Sequence, residues 1–207
     1  MKGAIFDLDG VIVDTARYHF LAWKELADEF GFEFTEKDNE RQKGVSRMAS
    51  LEVLLEVGGI TGLTDEQKET LATKKNNRYV EMLQSLDKSE LLEGAEDYLK
   101  KIKAEGVKIA LGSASKNAPL ILEKLGIAEL FDAVVDGNSV TKSKPDPEVF
   151  LIGAKLLGLD PADCCVFEDA QAGIEAARAA GCSVIAIDKN GVLVDADKNV
   201  KTLGDLL

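Results

Sequence analysis

Short, nearly continuous apolar runs rich in β-branched residues recur along the chain, and a polar residue follows each run within two positions. Strands buried on both faces of a parallel sheet have this pattern. The amphipathic segments between the later runs stop at a glycine, as helices commonly do. The alternation predicts an α/β fold with a doubly wound, Rossmann-like parallel sheet. The predicted strands are 4–6, 107–111, 133–135, 164–167 and 183–187, and the predicted helices are 98–105, 119–125, 149–157 and 174–180.

The interval from about residue 15 to residue 90 departs from this alternation, because successive helical patterns fill it and none of its apolar runs is typical of a buried strand. One helix is predicted from about 15 to 30 and a second from 46 to 58. A third opens with a capping-box pattern at 64–67. We therefore expect an inserted α-helical cap domain. The predicted domains are an α/β core of residues 1–14 and 93–207 and a cap of residues 15–92.

The charge balance narrows the range of partners. The chain has 37 acidic and 25 basic residues, a formal net charge of -12, which repels phosphate backbones and anionic lipids. We expect no nucleic-acid partner and no membrane partner. A cytoplasmic location is expected, because the first residues lead straight into an apolar strand without the long apolar segment of a signal peptide. Three cysteines, Cys164, Cys165 and Cys182, lack disulfide or metal-site spacing and are interpreted as reduced core residues.

Polar side chains follow the ends of the predicted strands. Ligands of open α/β sheets bind at the carboxyl ends of the strands, so these side chains are the first candidates for a site. Carboxylates hold a hard Mg²⁺ through oxygen, while a lysine and a hydroxyl neutralise and orient phosphate oxygens, so the set suits phosphoryl transfer. The candidates are Asp7, Asp9, Ser113, Lys144, Glu168 and Asp169.

Two aspartates carry the predicted chemistry. An aspartate beside a bound cation stays ionised and can attack phosphorus, which makes Asp7 the candidate nucleophile. Asp9 lies on the same side of the chain and is the candidate general acid and base for the substrate oxygen. Taken alone, an Asp-x-Asp pair is common, and Ser113, Lys144 or Glu168 would be a turn residue or a surface charge. Their order at successive strand ends favours the functional interpretation.

These residues resemble the four motifs of the haloacid dehalogenase superfamily, and the resemblance covers the whole chain. It implies that Asp7 is the nucleophile, Asp9 the acid and base, and Ser113 and Lys144 the phosphate ligands. It also implies a Mg²⁺ cofactor held by Asp7, Asp169 and the Asp9 carbonyl, with Glu168 binding the metal directly or through water. The motifs are Asp7-Leu8-Asp9-Gly10-Val11-Ile12, Ser113-Ala114-Ser115, Lys144-Pro145 and Glu168-Asp169.

Within that superfamily the sequence resembles the β-phosphoglucomutase family, mainly in the inserted segment and also in the run that begins at Ser113. The resemblance implies that phosphorylated Asp7 donates to β-glucose 1-phosphate, that β-glucose 1,6-bisphosphate is the intermediate and activator, and that glucose 6-phosphate is released. The matching runs are His19-Phe20-Leu21-Ala22-Trp23, Lys43-Gly44-Val45-Ser46-Arg47, Ser50-Leu51, Lys75-Asn76 and Ser113-Ala114-Ser115-Lys116-Asn117. The implied phosphate and substrate ligands are Trp23, Gly44, Val45, Ser46, Arg47, Ser50, Lys75, Ser113, Ala114, Ser115, Lys116, Asn117 and Lys144.

The residues of the inserted segment allow a physical interpretation of their own. Thr15, His19 and Trp23 recur every four residues and share one helix face. Cap closure is expected to bring His19 to Asp9, where it would orient the carboxylate and help to set its protonation. Arg47, near a helix start, is expected to grip a second phosphate. For Trp23, a role in the cap core and a role as a substrate wall both stay open.

Two rival functions remain. A sugar-phosphate phosphatase of the same fold needs only the phosphate site at Asp7, whereas a mutase also needs the one at Arg47. A signalling receiver domain also clusters acids, a hydroxyl and a lysine around a phosphorylated aspartate, but it needs neither a helical insertion nor Asp9-Gly10 after the nucleophile. We expect a small-molecule sugar phosphate as the partner and a monomer as the assembly.

Overall fold

A computed structural model describes residues 1–42 and 45–207 of the chain. It divides into two compact units, an α/β unit of Met1–Asp14 and Asp87–Leu207 and a helical unit of Thr15–Leu86. The strands and helices in chain order are β1 Gly3–Phe6, α1 Ala16–Phe30, α2 Glu36–Glu40, α3 Arg47–Val57, α4 Asp65–Met82, α5 Ala95–Ala104, β2 Lys108–Gly112, α6 Ala118–Leu125, β3 Ala133–Val135, α7 Glu148–Leu157, β4 Cys164–Glu168, α8 Gln171–Ala180, β5 Ser183–Ile187 and β6 Lys198–Val200.

The α/β unit is built on one parallel sheet with the strand order β3-β2-β1-β4-β5-β6. All five strand pairings are parallel, and this order is that of a doubly wound, Rossmann-like fold. The predicted fold class is therefore confirmed. The five predicted strands form as β1 to β5, and β6 is an additional edge strand.

Side chains of β1 alternate between two covered faces of the sheet. Ile5 lies in a core cluster with Phe150 of α7 and Ile174 of α8, and all three are fully buried. Phe6 points the other way, and its ring stacks on Phe167 of β4 with 4.3 Å between centroids. Tyr98 of α5 packs edge-on against both rings. Since burying each large apolar side chain contributes about 1.5–3 kcal/mol, the two faces hold β1 and β4 firmly side by side.

The helical unit has its own core, formed by one face each of α1, α3 and α4. Trp23 and Leu26 of α1 pack there with Leu51 and Leu54 of α3, and each is at most 2% exposed. The three predicted helices are present, and α4 begins with the predicted capping box. The short helix α2 was not predicted.

The return from the helical unit to the α/β unit differs from the predicted boundary between residues 92 and 93. The units divide between Leu86 and Asp87. Residues 87–92 belong to the α/β unit because Leu91 forms an antiparallel bridge with Val13 and the Leu92 N–H donates to the Ile12 carbonyl, 2.9 Å away. That the helical unit acts as a cap stays a prediction.

Two further expectations concern single residues and the membrane. Cys164, Cys165 and Cys182 are free and buried, as predicted. In the part of the chain that the structure describes, no helix has both the length and the apolar character that crossing a bilayer requires.

A pair of glycines tests whether close packing against the C-terminal turn stabilises the start of α5. Gly94 and Gly106 have nearly equal positive φ angles, 77° and 81°, so alanine at either position costs about 1–2 kcal/mol of backbone strain. A Cβ on Gly94 would also lie 2.2 Å from the backbone nitrogen of Gly204, whereas no described atom lies within 4 Å of one on Gly106. We expect Gly94→Ala to lower the thermal unfolding midpoint clearly more than Gly106→Ala. Equal losses would show that the contact with the C-terminal turn contributes nothing.

Candidate active site

The candidate site begins where two central strands end side by side. Asp7 directly follows β1 and Glu168 is the last residue of β4. These strands are paired in register, and the Asp7 N–H donates to the carbonyl of Phe167 at 2.9 Å. The strand order changes direction between β1 and β4, and ligands of doubly wound sheets bind at this switch point. The fold therefore places both carboxylates where a ligand crevice is expected.

Lys144 joins the two carboxylates. Its Nζ donates to Oδ1 of Asp7 at 2.6 Å and to Oε1 of Glu168, and the whole lysine is 7% exposed. The other oxygen of Glu168, Oε2, accepts the backbone N–H groups of Asp169 at 2.8 Å and Ala170 at 2.9 Å. Both oxygens of Glu168 are thus in use. Of the two predicted modes of metal binding by Glu168, directly or through water, this geometry does not favour the direct one, because the carboxylate already anchors Lys144 and the following loop.

The cluster carries more negative charge than one lysine balances. Burial raises the pKa of Asp7 to about 7, with repulsion from Glu168 and Asp9 adding to it and Lys144 opposing it. Burial also raises the pKa of Asp169 to about 8, helped by the other three carboxylates. For Lys144, burial alone would lower the pKa, but Asp7 and Glu168 outweigh it and raise the pKa. The lysine stays charged, and the cluster gains from a further cation.

The donor set suits Mg²⁺. Asp169 lies over the turn that follows Asp9, since a Cβ on Gly10 would be 1.9 Å from Asp169 Oδ2. Carboxylate and main-chain oxygens are the hard ligands that Mg²⁺ prefers. Among the described residues, no three acidic, histidine or cysteine side chains form a ready-made metal cluster, but Mg²⁺ commonly uses one or two carboxylates together with water and phosphate oxygens. The residues present therefore fit this ion.

The loop after β2 presents hydroxyl groups. Ser113 Oγ accepts the N–H of Ser115 at 3.1 Å, and Ser115 Oγ accepts the N–H of Asn117 at 3.2 Å. Each hydroxyl group also carries one proton that it can donate to an anion. Ala114 lies between the two serines, and Lys116 is exposed next to Asn117, the residue before α6.

The loop after β3 supports this hydroxyl loop, and the sequence reasoning missed it. The N–H of Gly137 donates to the Ser115 carbonyl at 3.1 Å, and a Cβ on Gly137 would lie 2.3 Å from the carbonyl oxygen of Ala114. Buried Asp136 holds the loop by accepting the backbone N–H groups of Asn138 and Ser139 at 3.0 and 3.1 Å. Asp136 directly follows the predicted strand 133–135, so the strand-end rule, applied there, would have found it.

In the helical unit the structure brings three predicted residues together. Lys75 Nζ of α4 lies 2.7 Å from His19 Nδ1 of α1 and 4.5 Å from the centre of the Trp23 ring. Trp23 is 2% exposed and belongs to the core of the unit, which favours the core interpretation. Thr15 occupies the N-cap position of α1 without a side-chain capping bond. The predicted action of His19 on Asp9 stays a prediction.

The predicted second phosphate site lies around the start of α3. Ser46 is the N-cap, and its Oγ accepts the N–H of Ala49 at 3.3 Å. Arg47 is the first residue of the helix and is partly buried, which lowers the pKa of its guanidinium. Ser50 is buried one turn further on, and Val45 precedes Ser46. Gly44 and its neighbour Lys43 lie outside the described residues.

The comparisons with known proteins agree with this geometry. A family model described as haloacid dehalogenase-like hydrolase matches residues 1–181. The chain belongs to this family. A beta-phosphoglucomutase of Bacillus subtilis (strain 168) is 44% identical over 207 residues, which cover 100% of the chain and 92% of that protein.

Two further similar proteins show the range of similarity. A phosphorylated carbohydrates phosphatase of Thermotoga maritima is 31% identical over 183 residues, covering 87% of the chain and 82% of that protein. A crystal structure of beta-phosphoglucomutase from Clostridium difficile superposes with a TM-score of 0.95 at 40% identity, over 100% of this chain and 93% of that one. The chain is thus similar over its full length to a mutase, and it is less similar to a phosphatase.

A second glycine pair tests the anchoring of Lys144. A Cβ on Gly173 of α8 would lie 1.9 Å from Glu168 Oε1, whereas one on Gly153 of α7 would lie 3.2 Å from the end of the Ile5 side chain. We expect Gly173→Ala to displace the Glu168 carboxylate, to destabilise the fold by about 1–3 kcal/mol and to slow acetyl phosphate hydrolysis. Gly153→Ala, the control, should change stability by less than about 1 kcal/mol. Equal stability and activity of the two variants would contradict the anchoring role.

Proposed function

We propose that this protein is a β-phosphoglucomutase, which interconverts β-D-glucose 1-phosphate and D-glucose 6-phosphate through phosphorylated Asp7 and β-glucose 1,6-bisphosphate. The observation that carries the proposal is the Asp7–Lys144–Glu168 cluster at the switch point of the sheet, in a chain similar over its full length to a mutase. Phosphoryl transfer needs little more of a protein than positioning and charge neutralisation. A buried carboxylate held by a buried lysine provides both.

In the first half-reaction, phosphorylated Asp7 gives its phosphoryl group to the 6-hydroxyl of β-glucose 1-phosphate. The bond from phosphorus to the Asp7 oxygen breaks, a bond to the sugar oxygen forms, and the hydroxyl proton passes to Asp9. In the second, the bisphosphate turns over within the site and the Asp7 carboxylate attacks its 1-phosphate, so a bond from phosphorus to the Asp7 oxygen forms and the bond to the sugar oxygen breaks. Asp9 then returns the proton to the departing sugar oxygen, and glucose 6-phosphate leaves.

Lys144 and Ser113 orient the phosphoryl group in this proposal. Lys144 holds Asp7 through Oδ1, so Oδ2 is the candidate attacking atom. Its charge also neutralises phosphoryl oxygens, and the Ser113 hydroxyl donates to one of them. Asp7, Asp169 and the Asp9 carbonyl would hold Mg²⁺. That ion, when bound, offsets the charge that accumulates on the transferring oxygens.

The proposed phosphate site at Arg47 is the feature that distinguishes a mutase from a phosphatase. A mutase must bind the phosphate that stays on the sugar as well as the one that moves, whereas a phosphatase needs only the second. A guanidinium forms paired hydrogen bonds with phosphate, and Arg47 stands at the first position of α3, where helix N–H groups also attract anions. The similarity to a carbohydrate phosphatase makes simple hydrolysis the alternative.

The reaction itself is the first test. With β-glucose 1-phosphate, Mg²⁺ and a trace of the bisphosphate, we expect steady formation of glucose 6-phosphate, measured by coupling to glucose 6-phosphate dehydrogenase. Asp7→Asn should abolish it, because the amide is a far weaker nucleophile. Steady release of inorganic phosphate without glucose 6-phosphate would establish the phosphatase instead.

Arg47→Ala tests the second phosphate site. Loss of a charge-assisted hydrogen bond should lower mutase kcat/KM by roughly 10- to 100-fold, while acetyl phosphate hydrolysis, which needs only one phosphate site, changes little. Arg41→Ala is the matched control, since Arg41 is an exposed cation of the same unit paired with Glu56 at 2.6 Å. If Arg47→Ala slowed both reactions equally, the second site would have to lie elsewhere.

A further inference from the structure

We propose that Trp23 and Tyr79 clamp the Lys75 ammonium group against Nδ1 of His19, and that this clamp fixes the neutral tautomer of His19 that carries its proton on Nε2. Trp23 and Tyr79 are therefore positioning residues, which act through Lys75. The catalytic meaning of the clamp rests on the proposed function. The clamp itself lies within the helical unit, so it can be tested by a measurement that does not depend on enzyme activity.

The clamp consists of two pairs of residues spaced one helical turn apart. His19 and Trp23 lie on α1, and Lys75 and Tyr79 lie on α4. Side chains four residues apart on a helix are neighbours on its surface. Helix α1 therefore presents His19 beside Trp23, and α4 presents Lys75 beside Tyr79. The two helices pack against each other in the helical unit, which interlocks the pairs.

The aromatic rings stabilise a buried charge. Lys75 is only 4% exposed, and burial of an ammonium group without compensation is costly. Its Nζ lies 4.5 Å from the centre of the Trp23 ring and 4.9 Å from that of the Tyr79 ring. Both distances are within the range of cation–π attraction, which is stronger when the cation is desolvated. The flexible lysine stem is thus held from two sides in its charged form.

The position of this charge determines the tautomer of His19. Lys75 Nζ lies 2.7 Å from Nδ1, and a charged ammonium group only donates hydrogen bonds. Nδ1 must therefore accept, and the single proton of the neutral ring sits on Nε2. The imidazole also stacks on Tyr79 with 4.0 Å between centroids, so the same ring that holds the lysine fixes the plane of the histidine.

The surroundings of His19 oppose a second proton. Burial first, then the charges of Lys75 and Arg47, hold the pKa of His19 well below its ordinary value. Facing it are Lys75 and Tyr79 from α4 and Arg47 from α3. In the proposed mutase, His19 is consequently a fixed Nε2–H donor over the working pH range and takes no part in proton transfer. That assigns all proton movement to Asp9.

The lone histidine makes the test direct. The chain contains one His, so every imidazole signal in a ¹⁵N and ¹³C NMR spectrum of the full-length protein belongs to His19. We expect the Nε2–H tautomer, and titration well below the ordinary histidine pKa of about 6.5. An Nδ1–H tautomer or an ordinary titration in the wild-type protein would overturn the proposal.

Matched variants separate the clamp from general packing. Tyr79→Phe keeps the ring and should leave the tautomer and pKa of His19 unchanged. Tyr79→Leu removes the ring, so the pKa should move up towards the ordinary value and a mixture of tautomers should appear. Unchanged spectra in Tyr79→Leu would overturn the role of the ring.

If Tyr79→Leu does not fold, two variants of neighbouring lysines test the clamp instead. Lys75→Met removes the donor and should release both the tautomer and the pKa of His19. Lys74→Met removes only an exposed neighbouring charge, paired with Glu29, and should change neither. Similar spectra for the two lysine variants would refute the clamp. Loss of the expected mutase reaction with an intact wild-type spectrum would instead refute the proposed function and leave the clamp standing.

Discussion

The buried interaction of Lys144 with Asp7 and Glu168 is the constraint on which the α/β unit depends. It joins the ends of β1 and β4 to the segment between β3 and α7, three parts of the chain that are distant in sequence. Loss of one partner would leave a buried charge uncompensated, which typically costs about 3–5 kcal/mol. The stacked rings of Phe6 and Phe167, one residue before each carboxylate, keep the strand ends close enough for one lysine to reach both.

The strands and helices that could be predicted from the sequence are those whose own side chains bury an apolar surface. The strand β6 was missed because two of its three residues, Lys198 and Asn199, are exposed, so it exists through its pairing with β5 rather than through its composition. The five-residue helix α2 has no apolar periodicity. It is stabilised at its start by the reciprocal bonds of Thr35 and Asp38, a capping box that is not followed by an apolar repeat.

The candidate site was predictable where a polar residue closes a strand, as Asp7 and Glu168 do. What each side chain does there was not, because it depends on partners brought in by the fold. One oxygen of Glu168 accepts hydrogen bonds from two backbone N–H groups, and the spacing of residues in the sequence does not reveal such contacts. Tyr79 reads as one aromatic residue on a polar helix, and its contacts with His19 and Lys75 exist only once α1 and α4 have packed together.

The position of β1 in the centre of the sheet has a consequence for synthesis on the ribosome. Its partners begin at Lys108 and Cys164, so β1 emerges before either of them and both its edges are paired only after about 160 further residues have been added. The helical unit, Thr15–Leu86, is continuous in sequence and has emerged in full long before that. Since chains emerge at about 5–20 residues per second, β1 spends several seconds as an unpaired apolar segment, during which nascent-chain chaperones have their opportunity to bind it.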